Sequence, residues 1–366
     1  MDLTFDVIIP TTRLAPERLE QLLRVHESVP RAKVAYYVVV DRPGVDLHAL
    51  EALVRNRADV TLLQNETWLG AHGTRNRGID AGKSELMVFL DDDVVPSPRL
   101  LAEYVTAIIA APASTGYVGV TRFPAAHDYF TQGIIASDIL TFFDLAEKRP
   151  FMPWGVTANL CLRRSALGDV RFSSAFPKAG GGEDIDLCLQ LARGGVQALV
   201  SVPDAWVEHP WWADGRGSYR RFFRWAFGDS RLPALHPQHR YWNAPTLPET
   251  LLLLAVVWLF GPTISLPVAI AVVPALVANE LVVDYGKLYL RGRRFSLRVV
   301  LESTIIRLTN DMGRIFGNLS RGRPWGLFER FDYFCDRVHV AGERRVAFTK
   351  LVGALLVVTL IVWLTG

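Results

Sequence analysis

The chain has 366 residues, half of them hydrophobic, with 40 Lys and Arg against 37 Asp and Glu and a net charge of +3. That near-balance excludes a general nucleic-acid-binding surface, and the length allows one large or two medium domains. Mean hydropathy is +0.19, high for a purely soluble protein, and the excess lies in two C-terminal blocks. Cys161, Cys188 and Cys335 are odd in number and lack metal-ligand spacing, so they read as reduced thiols suited to the cytosol. No basic n-region precedes an apolar h-region at the N-terminus, so no signal peptide is visible and the first domain is expected to stay in the cytosol.

From residue 5 to about 120, short β-branched runs alternate with helical patterns. Strands are predicted at Phe5–Ile9, Val34–Val40, Val60–Leu63 and Leu86–Leu90. Between them, Ala15–Val29 carries Leu19, Leu22, Leu23 and His26 at helical spacing, Leu47–Arg57 repeats the pattern, and Gly73–Ala81 opens a third helix. Alternation of this kind implies βαβ units and a mostly parallel sheet. The near-continuous hydrophobicity of residues 35–40 fits a strand covered on both faces.

The fourth run stops at Asp91-Asp92-Asp93 and is then broken by Pro96 and Pro98. Three adjacent carboxylates repel one another unless a cation or hydrogen-bond donors offset the repulsion. Oxygen ligands favour hard ions such as Mg²⁺ or Mn²⁺; the alternative is a solvated acidic turn. The other predicted strands also end in polar residues: Pro10-Thr11-Thr12-Arg13, Asp41-Arg42 and Gln64-Asn65. Carboxyl ends of strands are where open α/β folds bind ligands. A carboxylate such as Asp41 can accept hydrogen bonds from a base, and Arg or a helix N-terminus can receive phosphates. Residues 68–78, with Arg75, place glycines and a helix start just before the fourth strand.

Six segments, in this order, resemble the family 2 glycosyltransferases of the GT-A fold over residues 5 to about 230. They are Val-Ile-Ile-Pro-Thr at 7–11, Asp41, the Gly70–Gly78 segment with Arg-Asn-Arg-Gly, Phe-Leu-Asp-Asp-Asp at 89–93, Trp154–Asn159 and Gly182-Glu-Asp-Ile-Asp-Leu187. The resemblance implies a Rossmann-like catalytic domain, a nucleotide-diphosphate sugar donor, a divalent Mn²⁺ or Mg²⁺ and inversion at the anomeric carbon. Pro10, Thr11, Thr12, Asp41, Asn65, Arg75, Asp91 and Asp92 would then serve the donor. By the same resemblance Asp91 reaches the ribose or the metal, and Asp93 ligates the metal.

Glu183-Asp184 follows a glycine run and opens an amphipathic helix. Carboxylates there can simply cap the helix; following the Asp triplet and the Trp154–Asn159 segment, the pair is expected to house the base, and the family resemblance implies Asp184 first and Glu183 second. His209 follows the apolar run Ala205-Trp206-Val207; a lone His is more often a structural hydrogen-bonding residue, but the resemblance implies a third metal ligand here, imidazole being more typical of Mn²⁺ than of Mg²⁺. Arg221-Phe-Phe-Arg224-Trp225 resembles the Arg-x-x-Arg-Trp element of membrane-bound relatives. This implies Arg221 and Arg224 at the diphosphate and Trp225, with Trp154, at the acceptor. An interfacial amphipathic helix is the competing explanation.

Thr250–Ala278 contains no charged residue, and Leu351–Gly366 is a second uncharged stretch. These predict a transmembrane hairpin turning near 261–267, or one kinked span, and a terminal span. The basic segment 286–347 between them suits the cytoplasmic side of a bilayer. The expected layout is therefore a catalytic domain at 1–235, a linker and hairpin at 236–285, basic amphipathic helices at 286–348 and a terminal span at 349–366. The expected protein is a glycosyltransferase of the inner membrane, facing the cytosol and serving a lipid-linked or other membrane-associated acceptor. A processive polysaccharide synthase and a catalytically silent nucleotide-sugar-binding scaffold are the alternatives.

Overall fold

The computed structural model describes residues 3–192, 199–260 and 266–365. In chain order the strands are β1 (Thr4–Thr11), β2 (Lys33–Val40), β3 (Val60–Gln64), β4 (Leu86–Leu90), β5 (Val95–Pro96), β6 (Gly116–Arg122), β7 (Phe151–Met152), β8 (Asn159–Arg163), β9 (Leu199–Glu208), β10 (Arg240–Trp242) and β11 (Glu329–Phe331). The helices are α1 (Pro16–Leu22), α2 (His48–Val54), α3 (Gly70–Ala81), α4 (Leu100–Ala110), α5 (Tyr129–Ala136), α6 (Thr141–Asp144), α7 (Arg164–Leu167), α8 (Glu183–Ala192), α9 (Arg220–Asp229), α10 (Leu232–Leu235), α11 (Leu247–Phe260), α12 (Leu266–Leu290), α13 (Leu297–Leu319) and α14 (Arg337–Thr365). The chain divides into two compact units. One comprises residues up to 125 together with 140–214, and the other comprises 126–139 with the chain from 215 onward.

The first unit is built on one sheet of order β3-β2-β1-β4-β8-β6-β9-β5, with β7 added beside β9. The half made of β3, β2, β1 and β4 is parallel, as the βαβ pattern predicts. The expectation of a mostly parallel sheet does not extend further. β8 runs antiparallel to both neighbours, β4 and β6, and β5 and β7 run antiparallel to β9. β4 is buried along its whole length, which is why it reads as a continuous apolar run. Because β6 and β9 are parallel and β8 is reversed, the carboxyl ends of β1, β2, β3, β4 and β9 share one edge with the amino end of β8. Asn159, the first residue of β8, is fully buried and ties this arrangement together. Its Nδ2 donates to the carbonyls of Val120 at 3.0 Å and Ala205 at 2.8 Å, and its Oδ1 accepts the Tyr104 hydroxyl at 2.7 Å. Asn159→Ala would strand these partners in the core and is expected to cost about 3 kcal/mol, measured as a shift in the denaturant midpoint.

The second unit is organised around α13. Glycines let its neighbours approach closely: a Cβ at Gly313 would lie 2.1 Å from the Phe223 carbonyl of α9, and one at Gly133 of α5 would lie 2.6 Å from Glu302 Cβ. Glu249 on α11, with no exposed surface, receives Arg314 at 2.9 Å and Arg330 at 2.6 Å. That double pairing offsets the cost of burying its charge. Leu247, Val272 and Leu276 form a small core that Leu308, Ala354 and Val358 extend.

The expected transmembrane spans need correction. Among the described residues no helix is long and apolar enough to cross a membrane. The uncharged helical runs are 250–260, 266–279 and 351–365. At about 1.5 Å per residue each is shorter than the roughly 20 residues that a hydrocarbon core requires. Glu280, Asp284 and Lys287 interrupt α12, and Lys350 and the charges before it occupy the first half of α14. The hairpin turn expected near 261–267 falls mostly on 261–265, outside the described residues.

Candidate active site

The shared strand edge gathers most of the residues singled out by sequence. Asp91, Asp93 and His209 each present one ligand atom, and the three atoms lie within 4.8 Å of one another. Asp93 Oδ1 is 3.3 Å from His209 Nε2. His209 Nδ1 lies 2.6 Å from the Pro210 carbonyl, an acceptor only, so this nitrogen carries the proton and Nε2 is left as the ligand atom. Burial, reinforced by Asp91 and Asp92, holds the Asp93 carboxyl above its usual range against the pull of His209 and Arg13. Two carboxylates and an imidazole crowded at this spacing are a donor set that suits a divalent cation, and they could hold one.

The middle acid does something else. Asp92 accepts the Thr11 hydroxyl at 2.6 Å and a hydrogen bond from Arg13. The same guanidinium reaches Asp93 Oδ2 at 2.8 Å. The strand end thus pins Asp92 away from the metal group, while Thr12 beside it is exposed and Pro10 half-buried. Arg13 lies outside the expected set of site residues; its place two residues past the end of β1 is the signal the sequence carries for it.

Asp41 is buried and heavily engaged. Its Oδ1 accepts from Asn65 Nδ2 and the Leu69 N–H, both at 2.8 Å, and its Oδ2 accepts the Gly70 N–H at 2.8 Å. It therefore holds the start of α3, and a lone pair of Oδ2 remains for another donor. Asn65 in turn accepts Arg77 Nη1 at 2.8 Å.

Arg75 links the metal group to the helix that carries the expected base. Its Nη2 is 3.0 Å from Asp91 Oδ1, and its Nη1 is 3.6 Å from Glu183 Oε1. Gly180, Gly181 and Gly182 have φ of +87°, +128° and +88°, conformations that side chains with a Cβ avoid. The Gly181 N–H donates to Glu183 Oε2 at 2.6 Å, so this loop turns Glu183 back on itself and sets Asp184 at the N-terminus of α8. Desolvation, then the neighbouring Glu183 charge, pushes the Asp184 carboxyl up to about 7, against the opposing effect of Arg75. Gly181→Ala is expected to cost about 1–3 kcal/mol from backbone strain and to slow turnover by displacing Asp184, checked by denaturation and initial rates.

The aromatic candidates are placed differently. Trp154 is buried and stacks on Phe142 with ring centroids 4.2 Å apart. Arg221, Arg224 and Trp225 lie on α9 of the second unit, where the Arg221 guanidinium is 5.8 Å from the Trp225 ring centre. The acids, His209 and Arg75 all belong to the first unit.

An Asp-rich strand end, three side chains that could hold a cation and a carboxyl with a raised pKa on the helix that Arg75 reaches could together serve group transfer. The family described as glycosyltransferase like family 2 matches residues 5–228. Among solved structures, the chain is similar to the mannosyltransferase PcManGT from Pyrobaculum calidifontis in complex with GDP-Man and Mn2+. The match has 20% identity and a TM-score of 0.54, covering 84% of this chain and 86% of that one. A second similar structure is S. aureus TarS, at 13% identity and a TM-score of 0.45, covering 89% of this chain and 54% of that one. No curated protein matches the chain. At 20% identity the likeness to the mannosyltransferase speaks for the fold alone, while the family match covers more than half of the chain: it belongs to the glycosyltransferase family 2-like group and is a glycosyltransferase.

Proposed function

We propose that the protein transfers a sugar from a nucleotide-diphosphate donor to an acceptor hydroxyl with inversion, using a divalent cation. The observation that carries this reading is the Arg75 bridge: one guanidinium spans Asp91, a carboxylate of the Asp-Asp-His group, and the helix end bearing Asp184. Asp184 accepts the acceptor's hydroxyl proton as the new bond forms at the anomeric carbon. The bond from that carbon to the diphosphate breaks, and its electron pair leaves with the phosphate oxygen. A pKa near 7 keeps Asp184 available as a base at neutral pH without making it too weak to take the proton. A cation held by Asp91, Asp93 and His209 would supply charge stabilisation for the departing diphosphate. The structural relative holding GDP-Man and Mn2+ supports a donor of this class.

The reading extends to a membrane-associated acceptor, at the cytosolic face. Exposed Trp258, Leu259 and Phe260 on α11 and Leu355, Leu356, Leu360 and Trp363 on α14 support attachment to a bilayer surface without a span. The basic 286–347 segment and the three free cysteines support the cytosolic side. Purified protein incubated with individual nucleotide sugars and a lipid-linked acceptor should release nucleoside diphosphate and yield a product of inverted anomeric configuration by NMR. Retained configuration, or no release with any donor, would refute the proposal.

A further inference from the structure

The second unit carries a partly open cavity of about 330 Å³, within the size range of small-molecule sites. Its walls come from α9, α11, α12, α13, α14 and the β10–β11 pair. Every Arg and Lys in the lining is already neutralised. Arg314 and Arg330 meet Glu249, Arg314 also meets Asp311 at 3.1 Å, Arg307 meets Asp284 at 3.1 Å, and Lys350 meets Asp284 at 2.8 Å and Glu280. Of the acids, Glu329 takes Arg240 at 3.0 Å and Arg323 at 2.8 Å, and Asp229 accepts the Tyr333 hydroxyl at 2.9 Å.

An anionic ligand would have to break one of these pairs and leave a buried carboxylate alone, which costs several kcal/mol. What the walls offer instead is neutral hydrogen bonding. Asn279, Asn310 and Asn318 each give one amide N–H to a backbone carbonyl and carry a second N–H and an amide oxygen. Thr250 adds a hydroxyl, beside the ring of Phe331 and that of Tyr241, which has Arg344 over it. Arg314 Nε, buried, has no hydrogen-bond partner among the described residues and is a donor that a ligand oxygen would satisfy. Neutral donors and acceptors together with aromatic faces match a polyhydroxylated ring, whose hydroxyls bond laterally while its C–H face stacks.

We propose that this cavity is a saccharide-binding site, formed entirely by the second unit and independent of the donor chemistry of the first, taking one or two sugar rings either free or carried on a lipid. The test uses the full chain held in amphipol, titrated calorimetrically with maltose, octyl glucoside below its micelle concentration, octyl phosphate and octyltrimethylammonium. Saturable binding of maltose and octyl glucoside supports the proposal for saccharides from either source; binding of octyl glucoside alone supports it for lipid-borne sugars. Equal binding of octyl phosphate or octyltrimethylammonium would show tail or charge recognition and overturn it, as would no saccharide binding. Ala354→Phe, which fills the cavity, should weaken sugar binding at least ten-fold, and the smaller change Thr250→Val should weaken it several-fold while the protein melts as wild type. Unchanged sugar affinity in both variants would place the sugar elsewhere and also overturn the proposal.

Discussion

Asp184→Asn is expected to lower turnover about a thousand-fold, the usual worth of a positioned general base, while donor affinity stays within about two-fold. Asn keeps the size and the helix-end position but cannot accept the acceptor's proton. The pH dependence sharpens the test. Asp184 works only when ionised, and its carboxyl is pushed up to about 7, so wild-type kcat/KM should rise with pH through about 7 and then level off. The residual rate of the variant should show no such rise. A variant whose rate keeps the inflection, or falls less than about ten-fold, would remove Asp184 from the base role.

Misfolding is separable from loss of the base by the same linkage. A carboxyl whose folded-state pKa is raised favours its protonated form in the fold. That stabilisation is full below the ordinary value of 3.8 and is lost as pH rises through about 7. Asn is neutral throughout and does not suffer the loss. Asp184→Asn should therefore melt at or above the wild-type temperature near pH 8, so inactivity there reports on chemistry.

Chelation with EDTA is expected to abolish activity, and Mn²⁺ should restore it at lower concentration than Mg²⁺, because one of the three ligand atoms is an imidazole nitrogen. The acids of the triplet should respond unequally. Asp93→Asn removes an atom 3.3 Å from His209 Nε2 and should cost about a thousand-fold, with a much higher Mn²⁺ requirement. Asp92→Asn leaves the metal group intact. It loosens the contacts to Thr11 and Arg13 and should cost roughly ten- to a hundred-fold, as supporting residues do. Activity titrated against Mn²⁺ for both variants decides this. Equal losses, or activity untouched by EDTA, would contradict the assigned ligands.

The sequence by itself determined the alternating βα half of the sheet and which residue types stand at its edge. Those properties are local: a buried strand such as Leu86–Leu90 must be continuously apolar, and the chain leaves it at Asp91. Order along the chain also brought Glu183-Asp184 and His209 into the same argument. The tertiary structure alone decided what each polar group does. β8 enters the sheet reversed, and Asn159 at its start satisfies carbonyls of two other strands, a pairing that no periodicity records. Asp92 is engaged by Thr11 and Arg13, 81 and 79 residues away in the chain, and the Asp41 carboxylate is spent mostly on α3. Uncharged stretches that read as membrane spans became helices whose charged neighbours pair within the second unit. The raised pKa of Asp184 has the same origin: desolvation and neighbouring charge are set by whatever the fold packs around a carboxyl, and those neighbours are distant in sequence.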